Sequence, residues 1–170
     1  MARTAIVVGN PKPASRTRDA ARLLMAGLTG REPDREFDLA TFGAALLDWN
    51  DETVKAAVAE IAACDLVVVA SPTFKATYTG LLKLFLDRFA GQTGMRGVVA
   101  VPLMLGGGDR HALAVETHFK PVLAEIGATC PTAGLYLNDK TFADGPELSQ
   151  FVQVWKPVID GFLASRNSRS

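Results

Sequence analysis

The sequence predicts a three-layer α/β sandwich, in which a five-stranded parallel sheet of order 2-1-3-4-5 lies between two layers of helices. Three observations predict it. Apolar runs of strand length alternate with amphipathic stretches of helix length along the chain, and such alternation means right-handed crossovers and a parallel sheet. Three of the runs are nearly continuous Val, Ile, Leu and Ala, the pattern of strands buried on both faces. Finally, 170 residues fit one domain, expected over 1–165 with a frayed polar tail at 166–170. Five strands favour the 2-1-3-4-5 order over a longer dinucleotide-binding sheet.

Strands are expected at 4–8, more weakly at 36–40, then at 66–70, 98–103 and 134–137. Helices are expected at 18–28, 53–63, 80–89, 110–126 and 147–164. Within the third helix Leu81, Leu82, Phe85, Leu86 and Phe89 share one face, while Lys83, Asp87 and Arg88 take the other. Residues 42–50 are irregular, with apolar Leu46, Leu47 and Trp49. They read either as a loop over a neighbouring subunit or as a packed connector.

Charge excludes some functions. Eighteen basic and eighteen acidic side chains cancel, whereas general nucleic-acid or membrane-surface binding needs a cationic surplus. No apolar run approaches the roughly 20 residues of a membrane span, and the chain enters its first strand without a signal-peptide pattern. A cytoplasmic protein is expected. Cys64 and Cys130 form no metal or disulfide spacing and read as small core residues.

In a doubly wound sheet ligands bind beyond the carboxyl ends of the strands, which directs attention to three loops. The first is Gly9-Asn10-Pro11-Lys12-Pro13-Ala14-Ser15-Arg16-Thr17. Its hydroxyls, cations and helix-start N–H groups suit a phosphate. It lacks both Gly-x-Gly-x-x-Gly and a Gly-Lys-Ser/Thr ending, so the phosphate would be the terminal one of a mononucleotide. Equally, Ser15 or Thr17 is an ordinary helix cap. The second, Ser71-Pro72-Thr73-Phe74-Lys75-Ala76-Thr77-Tyr78-Thr79-Gly80, offers two aromatics that either pack under the loop or face a planar ligand. The third, Met104-Leu105-Gly106-Gly107-Gly108-Asp109, permits positive φ and close backbone approach, or is simply a tight turn. All three fall on one edge of the sheet, which favours a functional reading.

On these residues the chain resembles the NADPH-dependent FMN reductases of the flavodoxin-like superfamily. It is similar above all to the flavin-reducing partners of two-component alkanesulfonate and methanesulfonate monooxygenases. The likeness runs from Ile6 to about Ile126. It is carried by the Gly9-to-Thr17 loop, the Ser71-to-Gly80 run with Leu82, Lys83 and Asp87, and Gly106-Gly107, His111, Leu113-Ala114-Val115 and Lys120-Pro121-Val122-Leu123. The resemblance implies a flavodoxin-like FMN-binding domain and hydride transfer from NADPH or NADH to FMN. No side chain acts as nucleophile or base, because the cofactors carry the chemistry.

By position, the resemblance makes Ser15, Arg16 and Thr17 the phosphate cradle, with Asn10 and Lys12 nearby; family members usually have Ser and Arg where this chain has Arg16 and Thr17. Pro72, Thr73, Phe74 and Lys75 become the loop beside the isoalloxazine, Phe74 replacing a more usual Tyr. Gly106 and Gly107 become the backbone meeting the ring. Glu116-Thr117-His118-Phe119 corresponds to a helix bulge at a tetramer interface, with His118 one position shifted, or to an ordinary helix. Homodimers or homotetramers through 42–49 and 110–126, and a monooxygenase that receives reduced flavin, are implied likewise. Two rivals keep the fold: a quinone or azo-type reductase holding FMN tightly, and a flavodoxin-type electron carrier. Lys12, Lys75, Arg16 and Arg110 are all near enough to the edge to meet a nucleotide 2′-phosphate. No metal site is expected.

Overall fold

The five expected strands form one parallel sheet, although the second is the polar Arg35–Asp38 and not 36–40, because Leu39–Thr41 wind into a 3₁₀ turn. A computed structural model describes residues 2–167. In it β1 (Thr4–Val8), β2 (Arg35–Asp38), β3 (Leu66–Pro72), β4 (Val99–Gly106) and β5 (Leu135–Asn138) lie in the order β2-β1-β3-β4-β5. The anticipated order is therefore the observed one. Every residue of β1, β3 and β4 is buried, as continuous apolar strands require when both faces are covered.

Alternate residues feed two cores. Ala5, Val7, Val67, Val69, Ala100 and Met104 pack on one face with Phe85, Phe119 and Leu123. Ile6, Val8, Val68, Ala70, Val101 and Leu103 pack on the other with Leu24, Met25, Phe151 and Ile159. Full burial of each large side chain contributes about 1.5–3 kcal/mol, and the central strands supply both cores at once.

The helices are α1 (Arg16–Thr29), α2 (Glu52–Ala62), α3 (Gly80–Leu86), α4 (Lys120–Glu125) and α5 (Pro146–Asn167). Local chemistry sets their ends. Gly30, at φ 75°, closes α1 by donating its N–H to the Ala26 carbonyl. The Asp51 carboxylate accepts from the amides of Thr53 and Val54 at the start of α2, and the Thr79 hydroxyl accepts from Leu82 N–H at the start of α3.

Two expectations need correcting. The third helix stops at Leu86, not Phe89, because Arg88 and Phe89 bond back to Phe85 and Leu86 in tighter three-residue turns. The expected helix 110–126 is three pieces: a 3₁₀ turn at Asp109–His111, a π turn at Val115–Phe119, and α4. Pro121 has no N–H to offer Thr117, and Lys120 N–H reaches the Val115 carbonyl five residues back. His118 thus lies in a helix bulge, exposed.

The 42–50 segment divides its roles. A 3₁₀ turn, Gly43–Leu47, buries Leu46, while Leu47 and Trp49 stay 68% and 64% exposed. Arg88 lies 4.7 Å from the Trp49 ring centroid and donates to the carbonyls of Asp48 and Trp49. At the chain end α5 includes the backbone of 166–167, and 168–170, the remainder of the expected tail, lie outside the described residues.

Candidate functional site

The loops after β1, β3 and β4 converge, as expected, on a cleft of about 400 Å³ at the carboxyl edge of the sheet. That size is ordinary for a small-molecule site. Asn10, Lys12, Ser15, Arg16, Thr17, Pro72, Thr73, Phe74, Gly106 and Gly107 all line it. Lys75 does not; it forms the exposed tip of the neighbouring hairpin.

The β1–α1 loop is held open by its own polar groups. The Asn10 side-chain carbonyl accepts from Lys12 N–H at 2.9 Å, and its amide donates to the Thr17 hydroxyl at 3.0 Å. Ala14 is forced to φ 50° and its N–H donates to the Asp38 carboxylate at 2.9 Å. A non-glycine residue there costs on the order of 1 kcal/mol, and such strain gathers at sites that need a fixed shape. Ser15 then takes the cap position of α1 in extended geometry without the usual side-chain cap bond. Its hydroxyl oxygen is buried with no partner. The N–H groups of Arg16 and Thr17, in the first helical turn, have no carbonyl upstream to meet. A buried donor beside unpaired amides at the positive end of a helix is an arrangement that suits an anion.

Across the cleft, Thr73 N–H donates to the Leu105 carbonyl at 2.6 Å, extending the β3–β4 pairing by one step. Phe74 and Thr77 then pair across a two-residue hairpin whose corner residues, Lys75 and Ala76, sit at φ 51° and 70°. Two positive φ values are what a two-residue hairpin demands, although neither residue type favours them. The turn props up Phe74, a residue that is 51% exposed. The Thr73 hydroxyl, like that of Ser15, is buried and unpartnered.

The glycine run works differently from the sequence expectation. None of Gly106–Gly108 enters the left-handed region, and Gly108 is extended at φ 174°. Instead Gly106 is small because Tyr136 lies against it. An added Cβ would fall 1.8 Å from the Tyr136 Oη, which donates to the Gly108 carbonyl at 2.9 Å. Gly107, which lines the cleft, has open space where a side chain would project, so its backbone is bare there.

Sequence reasoning missed Tyr136, Asp38 and Asp139. Asp139 follows β5 and its N–H donates to the Gly106 carbonyl at 2.9 Å. Its carboxylate meets Arg16 Nη2 at 3.0 Å, and its own carbonyl accepts from Arg16 Nη1 at 3.0 Å. No local signal announced it, since the partners are 123 residues apart. Cys64 and Cys130 stay outside this chemistry, with burial pushing each thiol up to about 11. Among the described residues no group of three or more His, Cys, Asp or Glu could hold a metal ion, and no helix is long and apolar enough to cross a membrane.

The family model for NADPH-dependent FMN reductase matches residues 2–142. The chain belongs to that family. It is accordingly an oxidoreductase that works with FMN and a reduced nicotinamide nucleotide. Over 148 residues it is 30% identical to the NADH-dependent FMN reductase SfnF of Pseudomonas putida, covering 82% of this chain and 79% of that one. The FMN reductase (NADPH) of Escherichia coli K12 is 30% identical over 115 residues, 68% of this chain and 60% of that enzyme. Among solved structures, the apo form of an NADH:FMN oxidoreductase, EMOB, superposes with a TM-score of 0.82 at 28% identity, covering 97% of this chain and 90% of that one.

Proposed function

We propose that this family member binds FMN in the cleft with the terminal phosphate at the start of α1, and reduces it with NADH or NADPH for use by a flavin-dependent monooxygenase. The observation that carries the placement is the buried, unpartnered Ser15 hydroxyl beside the unpaired amides of Arg16 and Thr17. It can donate to a phosphate oxygen, and so can the Thr17 hydroxyl, whose oxygen already accepts from Asn10. Arg16 and Lys12 bring positive charge to the same end. When bound, FMN supplies the acceptor for a hydride delivered by the nicotinamide.

The chain's own work is positional. The Thr73 hydroxyl, orphaned in the cleft wall, is a ready hydrogen-bond partner for the polar edge of the ring system. Phe74 supplies an apolar wall that excludes water and, lacking the hydroxyl of a Tyr, leaves orientation to backbone groups and Thr73. Bare backbone at Gly107, next to the Gly106 that Tyr136 keeps small, allows close approach at the mouth, where a donor can meet developing negative charge. Holding two rings in reactive contact contributes several kcal/mol to the rate by positioning alone. No proton transfer from a side chain is needed, and none is assigned. A homodimer or homotetramer fits the exposed Leu47 and Trp49 and the 74% exposed Leu113 beside the π turn.

Flavin fluorescence titration tests the placement, with riboflavin as the ligand lacking only the phosphate. FMN is expected to bind at least about tenfold more tightly, as a few charge-assisted bonds would give. Equal affinities would sink the phosphate assignment.

A further inference from the structure

We propose that Asp139 competes with the flavin phosphate for Arg16, so that an anion built into the protein weakens FMN binding and speeds its release. The inference rests on the flavin placement above and concerns a residue that placement does not use. Arg16 is the cation fixed at the first turn of α1, yet its guanidinium is already committed. One arm meets the Asp139 carboxylate at 3.0 Å and another donates to the Asp139 carbonyl at 3.0 Å. Asp139 is anchored in turn, its N–H bonded to the Gly106 carbonyl. The second oxygen of its carboxylate is buried without a partner, so this charge is only half satisfied by the contacts around it.

Charge balance in the cleft points the same way. Lys12 and Arg16 line it with Asp19 and Asp139, two cations against two anions. A phosphate monoester, with about −1.5 to −2 charge, therefore meets a lining with no surplus of positive charge. It must share Arg16 with Asp139 or displace it, and the carboxylate repels it meanwhile. A site that kept its cofactor permanently would gain from leaving Arg16 free. Pairing Arg16 beforehand lowers affinity while keeping the loop in shape, which suits a flavin that has to depart once reduced.

Asp139→Asn keeps the side chain's size and removes its charge. FMN is expected to bind roughly three- to tenfold more tightly to it, with a matching fall in dissociation rate, the range that losing a partly exposed ion pair and a nearby like charge allows. Riboflavin affinity should not change. Arg16→Ala should weaken FMN, and adding Asp139→Asn to Arg16→Ala should bring no tightening. Asp139→Ser, read the same way, guards against a special effect of the amide. Unchanged or weaker FMN binding in both Asp139 variants overturns the inference. So does equal tightening of riboflavin, or tightening that survives without Arg16. Were Arg16→Ala silent and FMN no better than riboflavin in the unaltered protein, the flavin placement would fall along with it.

Discussion

Ser15 is the residue on which structure and chemistry separate most cleanly. A serine at a helix cap normally accepts from an amide in the first turn, and replacing it by alanine then costs about 1 kcal/mol. Here the hydroxyl makes no such bond, although the residue is only 5% exposed. A group buried without a partner contributes nothing to the fold by its own bonding and carries the cost of desolvation. On the proposed placement its value comes from the flavin phosphate. Ser15→Ala is therefore expected to change stability by about 0.5 kcal/mol or less, while FMN affinity drops about tenfold as one charge-assisted bond is lost. Parallel thermal melts and flavin titrations decide it. A large stability loss with intact FMN binding would return Ser15 to the role of a simple cap. Tyr136 makes the complementary point, since the small side chain it requires at Gly106 answers a demand internal to the protein.

At the scale of elements, the hairpin after β3 stores strain where the cleft needs a wall. Lys75 and Ala76 both lie in the left-handed region, the conformation for which Asn and Gly are preferred at these two places. Lys75→Asn with Ala76→Gly is expected to stabilise the protein by about 1 kcal/mol, seen as a rise in the denaturation midpoint. Gly also enlarges the freedom of the unfolded chain, which keeps the gain below the sum of two relieved strains. Phe74 should hold its place, because the paired amides of Phe74 and Thr77 remain. No gain in stability would mean that the observed turn is not strained. This corner was illegible in the sequence, where neither Lys nor Ala signals a positive φ. The strands were legible for the opposite reason: uninterrupted Val, Ile and Leu leave burial on both faces as their physical solution. Helix 110–126 was legible as an amphipathic stretch, and the resemblance offered a bulge at Glu116–Phe119, but periodicity alone does not show the break into three pieces, where Lys120 N–H bonds five residues back to Val115 ahead of Pro121.

Over the whole molecule the two edges of the sheet divide the labour. The carboxyl edge carries the cleft, and its loops could be located from topology before any contact was known. Asp139 and Asp38 escaped notice because they reach the site only through strand register, β5 beside β4 and β2 beside β1. The opposite edge is a lock. There the Arg31 guanidinium, followed by the amide and hydroxyl of Thr4, holds the Asp34 carboxyl well below its ordinary 3.8, at about 2. These bonds tie the start of β1 to the approach to β2. A carboxyl whose folded value is depressed stabilises the fold above its unfolded value and loses that contribution as pH falls through the folded one. The window here runs from about pH 4 down to about pH 2. Taken whole, the shift would be worth roughly 2 kcal/mol, but the side chain is 46% exposed, and solvent screening reduces it to about 1 kcal/mol or less. Asp34→Asn is thus expected to be less stable than the unaltered protein at neutral pH by that amount. The gap should close as urea unfolding is repeated from pH 4 toward pH 2. Because the lock sits at the far edge from the cleft, FMN affinity at neutral pH should be the same in both proteins. A gap that stays constant with pH would show that Asp34 acts through its shape and not its charge.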